Sequence, residues 1–208
     1  MAPGETRERI LEVARRLFHE QGYHATGVST ILREADVRSG SLYYFFENKE
    51  ELLKATLRWY LEHLGPIVLA PAEQATDDPI GRVFALLDWY RTGLGRAGCT
   101  LGCPIGNLAL ELGDGHPEVR ALIHENFQNW AAGVERWLQD AGDRLPPWTD
   151  RAALARFVLT VMEGGIMQSR AAGSLAPFDD SVRQLRAYFD ALERAAASQR
   201  PRTEGGSA

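Results

Sequence analysis

The stretch that decides the fold reads Ser39-Gly40-Ser41-Leu42-Tyr43-Tyr44-Phe45-Phe46-Glu47-Asn48-Lys49-Glu50-Glu51-Leu52-Leu53. Its first half predicts a short helix over residues 39–46, and Asn48 followed by Glu51 is typical of a helix start. Four consecutive aromatic residues on one helix cannot all face inward. We expect Leu42 and Phe46 to be buried and Tyr43 and Tyr44 to be exposed, the alternative being that the aromatic residues form a small core.

Helical periodicity extends outward from this stretch on both sides. Upstream it predicts helices over residues 5–21 and 27–35, with Gly22 ending the first, and the three residues 36–38 lead into the helix at 39–46. Downstream it predicts helices over 48–64, 79–96, 104–113, 117–141, 150–172 and 179–197, with Gly65 and Pro66 ending the first of these. No stretch alternates with the period of a strand. The prediction is an all-α protein of about nine helices.

Two short helices joined by a tight turn are typical of a helix-turn-helix DNA-binding domain, whose second helix enters a major groove ~12 Å wide. The second helix must then carry small or flat polar residues on its outer face. The residues available for groove and phosphates are Ser39, Gly40, Ser41, Tyr43 and Tyr44. Gly40 permits close backbone approach, and Lys49 can reach a phosphate from the start of the next helix.

From about Thr6 to Leu53 the sequence resembles the TetR family of one-component repressors. The residues that carry the resemblance are Ile10-Leu11, Ala14, Leu17-Phe18, Gly22-Tyr23, Thr26, Val28, Ile31, Ala35 and Val37, and above all Gly40-Ser41-Leu42-Tyr43-Tyr44-x-Phe46-x-x-Lys49-Glu50-x-Leu52. The resemblance implies that Thr26, Ser39, Ser41, Tyr43, Tyr44 and Lys49 face DNA.

The chain departs from the family pattern at three positions. Asp36 stands where the family turn usually has glycine, so a left-handed conformation there would rest on an aspartate. Arg38 replaces the usual small N-cap, so that Ser39 caps the helix instead or the cap is lost, and Arg38 can contact a phosphate. Phe45 replaces a common histidine. These changes affect the operator preference and leave the fold unaffected.

Charge and composition bound the function only loosely. The chain carries a net charge of −5, and up to Arg58 there are nine basic and nine acidic residues, so the proposed head is neutral where a DNA-binding domain is normally basic. No apolar run is long enough for a membrane helix, and no signal peptide is evident. These features predict a cytoplasmic protein.

The rest of the chain is expected to form a helical effector-binding and dimerisation domain. The segment 150–172 is apolar nearly all round, which indicates burial on more than one side, and Gly164 and Gly165 would allow close helix approach. The resemblance implies a homodimer interface formed by helices 150–172 and 179–197, with Val182, Leu185, Phe189 and Leu192 on the apolar stripe of the second helix. The predicted boundaries are 1–47 for the DNA-binding domain, 48–199 for this domain and 200–208 for a disordered tail.

The resemblance also implies a small-molecule effector in the C-terminal domain. The aromatic residues available are Trp89, Tyr90, Phe127, Trp130 and Trp137, and the polar groups on apolar helical stretches are Asn107, Glu111, Glu163 and Gln168. The effector-binding residues we predict are Trp89, Cys103, Asn107, Phe127, Trp130, Met162 and Glu163, for an apolar or aromatic ligand. For any one of the aromatic residues, a place in the core is the alternative.

Cys103 precedes a predicted helix, whose N-terminus would lower the pKa of its thiol. We therefore hypothesise that Cys103 lines the pocket or senses electrophiles or oxidants; the alternative is a small buried apolar residue. A disulfide between Cys99 and Cys103 is disfavoured in the cytosol. Asp114, His116 and Glu118 lie close in sequence, but no second set of ligands accompanies them, and Asp114 and Pro117 suit a helix start. No metal and no cofactor are predicted.

The catalytic motifs of the common enzyme classes are absent from the sequence, so an enzyme is not predicted. The prediction is a DNA-binding transcriptional regulator, specifically a repressor released from double-stranded operator DNA by its effector. Two alternatives stay open, namely a regulator controlled by a protein partner or by no ligand, and activation in place of repression.

Overall fold

The computed structural model describes residues 3–112 and 115–199, and in that part of the chain every regular element is helical. The α-helices in chain order are α1 (Pro3–Gln21), α2 (Val28–Glu34), α3 (Ser39–Phe45), α4 (Lys49–Leu64), α5 (Ala70–Ala75), α6 (Pro79–Arg96), α7 (Pro104–Glu111), α8 (Pro117–Asp140), α9 (Arg151–Ala172) and α10 (Ala176–Gln199). The predicted all-α class is confirmed. The expected tail at 200–208 and Asp114 lie outside the described residues.

The N-terminal head is built around the apolar stripe of α1. Ile10, Ala14 and Leu17 on α1 are buried against Ile31 of α2 and Leu42 of α3, and the same core continues into α4 through Leu52, Leu53 and Leu57. Ile105 and Leu108 of α7 and Val119 and Ile123 of α8 belong to it as well. The core of the head is therefore completed by helices from the second half of the chain.

The turn that leads into α3 has the conformation that the sequence predicts. Asp36 lies in the left-handed region, at φ 50°, which its short side chain tolerates better than most residues but less well than glycine. Its carbonyl oxygen accepts a hydrogen bond from Arg9 Nη2 at 2.8 Å. Arg38 occupies the N-cap of α3, and its side chain makes no capping hydrogen bond. The alternative that we expected, capping by Ser39, rests on a side chain outside what the structure describes.

The helical path does not end at Gly65 and Pro66, contrary to prediction. A π-helical turn over Gly65–Leu69 joins α4 to α5, and the Ala70 N–H donates to the Gly65 carbonyl oxygen. Proline lacks an N–H group and its ring crowds the preceding turn, so a wider turn accommodates it without breaking the helix. If α4, the π-helical turn and α5 are counted as one segment, the described part of the chain has nine α-helical segments, which is the predicted number.

The C-terminal body packs α6, α8, α9 and α10 around a second core, in which Trp137, Val158 and Phe178 are buried. Gly165 allows close approach within the chain, because a Cβ there would lie 2.9 Å from Cδ2 of Phe178 on α10. Leu185, Phe189 and Leu192 of α10 are buried in this same core. The predicted stripe of α10 thus faces its own subunit. None of the described helices has the length and apolar character needed to cross a membrane.

Candidate DNA-recognition surface and effector cavity

The outer face of α3 presents two tyrosines to solvent. Tyr43 is 62% exposed and Tyr44 is 77% exposed, whereas Leu42 and Phe46 are buried. This division follows from the helical period, which turns residues 42 and 46 towards α1. Gly40 is exposed, and a Cβ at this position would meet nothing within 4 Å. A flat polar surface with room for close approach is what a major-groove helix requires.

Thr26 does not lie on this surface, which corrects our expectation of a DNA-facing side chain. It is fully buried, and its hydroxyl group donates to the carbonyl oxygens of Gly22 at 2.6 Å and Leu17 at 3.3 Å. The hydroxyl satisfies backbone acceptors that the end of α1 leaves free. The side chain therefore serves the turn between α1 and α2.

The other predicted DNA-facing residues belong to α3 or flank it in the sequence. Arg38 is exposed, Ser41 is half-buried, and the side chain of Ser39 lies outside what the structure describes. Lys49 starts α4 with its ammonium group 4.2 Å from the centre of the Tyr23 ring. Burial lowers the pKa of Lys49, against the opposing effect of the Glu111 carboxylate. Lys49 must leave this ring to reach a phosphate.

The body encloses a cavity of about 350 Å³ that reaches from α4 to α9. The predicted effector-binding residues that line it are Trp89 of α6, Cys103, Phe127 and Trp130 of α8, and Met162 and Glu163 of α9. Asn107 lies apart from it and lines a second cavity, of about 840 Å³, which also touches Cys103, Phe127 and Glu163. The volume of the first cavity suits a small organic molecule.

Sequence reasoning missed the wall that α4 contributes. Trp59, Tyr60 and His63 line the cavity, with the Trp59 and His63 rings stacked at a centroid distance of 4.0 Å. Their i, i+4 spacing was a usable signal, because it places both rings on one face of a helix. Trp137, in contrast, is buried in the body core and its indole N–H donates to Glu73 Oε1 at 3.1 Å.

Cys103 and Glu163 meet at the boundary between the two cavities. Burial raises the pKa of the Cys103 thiol well above its usual value, and the Glu163 carboxylate adds to the effect. The thiol is the N-cap of α7, and its sulfur accepts from the Gly106 N–H at 3.5 Å. The expected lowering of its pKa by the helix N-terminus is therefore outweighed by desolvation. Cys99 and Cys103 are both free thiols.

Several contacts join the cavity region to the head. The Arg15 guanidinium of α1 lies 3.4 Å above the Trp59 ring, and His19 Nε2 donates to the Gly102 carbonyl oxygen at 2.7 Å. Glu111 accepts from the backbone N–H groups of Tyr23 and His24, at 2.8 and 2.5 Å. Glu111, a candidate pocket group by sequence, instead holds the turn after α1.

Two of the three residues that we considered for a metal, His116 and Glu118, have other partners, and Asp114 lies outside the described residues. His116 Nδ1 is 2.8 Å from Glu50 Oε2, and Glu118 pairs with Lys54. Within the described residues, no three His, Cys, Asp or Glu side chains are grouped so that they could hold a metal ion.

Comparison with known proteins covers both parts of the chain. Residues 10–56 match the bacterial regulatory proteins of the tetR family, and residues 79–185 match the tetracyclin repressor-like C-terminal domain. The transcriptional regulator LmrA of Bacillus subtilis is 33% identical over 85% of this chain and 93% of its own. The repressor DhaR of Mycobacterium sp. is 26% identical over 92% of this chain and 94% of its own.

Solved structures share the fold over nearly the whole chain. A TetR regulator from Chloroflexus aurantiacus superposes with a TM-score of 0.77 at 27% identity, over 90% of this chain and 96% of that one. A regulatory protein TetR from Rhodobacter sphaeroides gives a TM-score of 0.78 at 24% identity, over 86% and 95%, and supports the fold alone. The chain therefore belongs to the tetR family of bacterial transcriptional regulators, which are not enzymes but bind operator DNA and act as dimers.

Proposed function

We propose that this regulator is a repressor that a small apolar or aromatic effector releases from its operator. The observation that carries the proposal is the cavity of about 350 Å³ walled by Trp59, Tyr60 and His63 of α4. Only three residues separate the end of α3, which carries the proposed DNA-reading face, from the start of α4. A ligand that displaces this wall acts directly on the element that supports the DNA-reading head.

The DNA-binding surface that we propose comprises Arg38, Ser39, Gly40, Ser41, Tyr43, Tyr44 and Lys49. Thr26 is left out because its hydroxyl group is buried and bonded within the head. Tyrosine hydroxyls and two basic side chains can position a neutral head on phosphates. The division into a DNA-binding domain at 1–47 and an effector and dimerisation domain at 48–199 is part of the proposal.

The contacts between head and body support a coupled mechanism. Trp59 and Gly102 line the cavity, and they contact Arg15 and His19 of α1. An effector that shifts these two wall positions therefore changes how α1 sits on the body. In the dimer this alters the separation of the two reading heads, and a mismatch with the spacing of the half-sites lowers operator affinity.

Repression is favoured over activation by the relatives. DhaR of Mycobacterium sp. and ComR of Escherichia coli are both transcriptional repressors, at 26% identity to this chain in each case. Control by a ligand is favoured over control by a protein partner because the cavity is apolar and lined by large rings, with few polar groups.

Operator binding by the purified protein tests the proposal. DNA fragments selected from a random duplex pool supply the operator, and gel-shift titration gives the affinity. Tyr43→Ala and Lys49→Ala each remove a proposed contact, and we expect each to lower the affinity by about tenfold. Glu125→Ala, an exposed change on α8, is the matched control. Unchanged affinity in both variants would show that the DNA-contact assignment is wrong.

A further inference from the structure

Glu163 lines the effector cavity and carries a buried carboxylate oxygen that has no hydrogen-bond partner. Among the described residues, three buried side-chain polar atoms have no hydrogen-bond partner, namely Arg9 Nε, Thr149 Oγ1 and Glu163 Oε1. Of these three residues, Glu163 alone lines the cavity of about 350 Å³. A buried acceptor without a donor costs free energy unless a ligand supplies one.

The carboxylate cannot easily turn away from this position. Its other oxygen, Oε2, lies so close to the α7 backbone that a Cβ at Gly106 would overlap it. The thiol of Cys103 is beside the same carboxyl group but is only a weak donor. Oε2 therefore lies against α7, whereas Oε1 has no hydrogen-bond partner in the protein.

Three of the other polar side chains of the cavity have partners in the protein. His19 donates to Gly102 O, the Tyr90 hydroxyl accepts from Trp130 Nε1 at 3.0 Å, and Asn126 donates to backbone carbonyls. Among the described residues that line the cavity, Glu163 is the one carboxylate, and there is neither lysine nor arginine. The cavity thus offers one negative group and no countercharge.

Aromatic faces add to the same electrostatic bias. The indole and phenol rings of α4, α6 and α8 that wall the cavity are Tyr60, Trp89, Tyr90 and Trp130, whereas the Trp59 ring is already stacked with His63 and Arg15. Such faces carry negative quadrupole charge and attract organic cations. An anion would meet these faces and the carboxylate without a cation to pair with.

We propose that the effector is an apolar aromatic amine, bound as a cation, whose N–H donates to the Glu163 carboxylate. This rests on the proposed function, because it assigns the ligand class of the same cavity. Burial raises the pKa of Glu163 in the empty site, and an ammonium group within hydrogen-bond distance would favour the ionised carboxylate again. The Arg156 and Arg170 side chains line the neighbouring cavity and are not part of the site.

Three ligands of nearly equal shape test the charge preference: 1-naphthylmethylamine, 1-naphthylmethanol and 1-naphthoate. Isothermal titration calorimetry of the dimer at neutral pH measures the dissociation constant of each. We expect the amine to bind at least about tenfold tighter than the alcohol, and the carboxylate to bind weakest. Equal affinities, tighter binding of the carboxylate, or no binding of the amine would overturn the proposal.

Variants then assign the preference to one residue. Glu163→Gln keeps the shape of the side chain and removes the charge, and we expect it to bring the amine to within about threefold of the alcohol. Glu125→Gln removes a carboxylate that is exposed on α8 and lines neither cavity, and it should leave the ranking unchanged. An amine preference that persists in Glu163→Gln would show that another group recognises the ligand.

The result of the ligand-binding test can be distinguished from a failure of the proposed function. Operator affinity without ligand, and its loss in Tyr43→Ala and Lys49→Ala, decides whether the chain reads DNA as proposed. Failure of the amine to bind would leave those results standing and reject only the ligand class. Loss of operator binding on adding the amine to the wild type, but not to Glu163→Gln, would support both.

Discussion

The hydroxyl group of Thr26 stabilises the turn between α1 and α2. It donates to the carbonyl oxygens of Gly22 and Leu17 from a fully buried position. Thr26→Val keeps the volume but leaves two buried acceptors without this donor, so we expect the free energy of unfolding to fall by about 1–2 kcal/mol. Urea unfolding followed by circular dichroism measures it. Thr30→Val, the same change at a half-buried position on α2, should differ little from wild type; equal stability of both variants would contradict the assignment.

Cys103 is expected to be an unreactive thiol. Its pKa is raised by burial and by the Glu163 carboxylate, and alkylation proceeds through the thiolate. In a Cys99→Ser background, which leaves one cysteine, iodoacetamide at pH 8 should modify Cys103 at least about tenfold more slowly than it modifies glutathione. Mass spectrometry follows the reaction.

Glu163→Gln in the same background provides the control for the cause. Removing the neighbouring negative charge should lower the pKa of the thiol and speed its alkylation. Alkylation of the Cys99→Ser protein as fast as glutathione would instead favour the electrophile-sensing hypothesis, because a sensor requires an accessible thiolate.

At the level of elements, α7 connects the cavity to the head. Its first turn adjoins Glu163, and its last residue, Glu111, binds the backbone N–H groups of Tyr23 and His24. Gly22 suits this turn, because it adopts φ 87° and a Cβ there would lie 2.7 Å from Glu111 Oε2. One short helix thereby spans the distance from cavity to DNA-binding head.

Hydrogen exchange tests this contact without any ligand. Glu111→Ala removes the acceptor of two amide groups, so we expect the Tyr23 and His24 amides to exchange about tenfold faster or more. The core amides of α9 should be unaffected, and Glu125→Ala should change neither region. Unchanged protection at residues 23 and 24 would mean that Glu111 does not hold the turn in solution.

Local signals predicted most of the helix bounds but failed where tertiary packing decides. Asn48 and Asp150 both cap helices through their side chains, and the sequence predicts the first of these caps. Gly65-Pro66 is a helix-ending pair in most contexts, yet here a π-helical turn carries the chain on into α5. Whether a proline ends a helix depends on what the next residues pack against, and Leu69 is buried in the body core.

The cavity was predicted in part for a similar reason. Trp89, Phe127 and Trp130 lie on its wall as expected, whereas Trp59, which the sequence does not single out, lies there too. Periodicity shows that a ring lies on an apolar face, but not whether that face meets a core or a void. Asn107 illustrates the limit, because its helix turns it into the neighbouring cavity, where Oδ1 accepts from Arg170 Nη1 at 3.4 Å.

Across the whole molecule, the two cores share helices instead of meeting at a linker. Helices α4, α7 and α8 contribute to the head core, and α8 also contributes Trp130 and Trp137 to the body core. Under the proposed function, a displacement of these helices by a ligand would be transmitted to the head by packing, which responds in discrete steps.

The outer face of α9 and α10 is where we expect the second subunit. Phe157 and Met167 of α9 are 46% and 58% exposed, Tyr188 of α10 is 45% exposed, and the Phe157 and Tyr188 rings meet at 5.9 Å. The inner apolar stripe of α10 is already buried in its own subunit. Phe157, Met167 and Tyr188 are therefore the large apolar side chains that α9 and α10 leave exposed. Members of the family act as dimers, and a two-fold operator needs two heads about 34 Å apart.

Charged substitutions on this face should therefore separate the subunits. The double variant Phe157→Asp, Tyr188→Asp would bury two unpaired carboxylates at the interface. Because burying an unpaired charge is unfavourable, this should destabilise the dimer. We expect sedimentation to give half the wild-type mass with native helical content, and operator affinity to fall by at least about tenfold because a monomer contacts one half-site. Tyr44→Asp replaces a more exposed aromatic residue, on α3, and should lower operator affinity while the protein remains a dimer. A dimeric double variant would place the interface on another face and leave the pairing of the two heads to be explained from there.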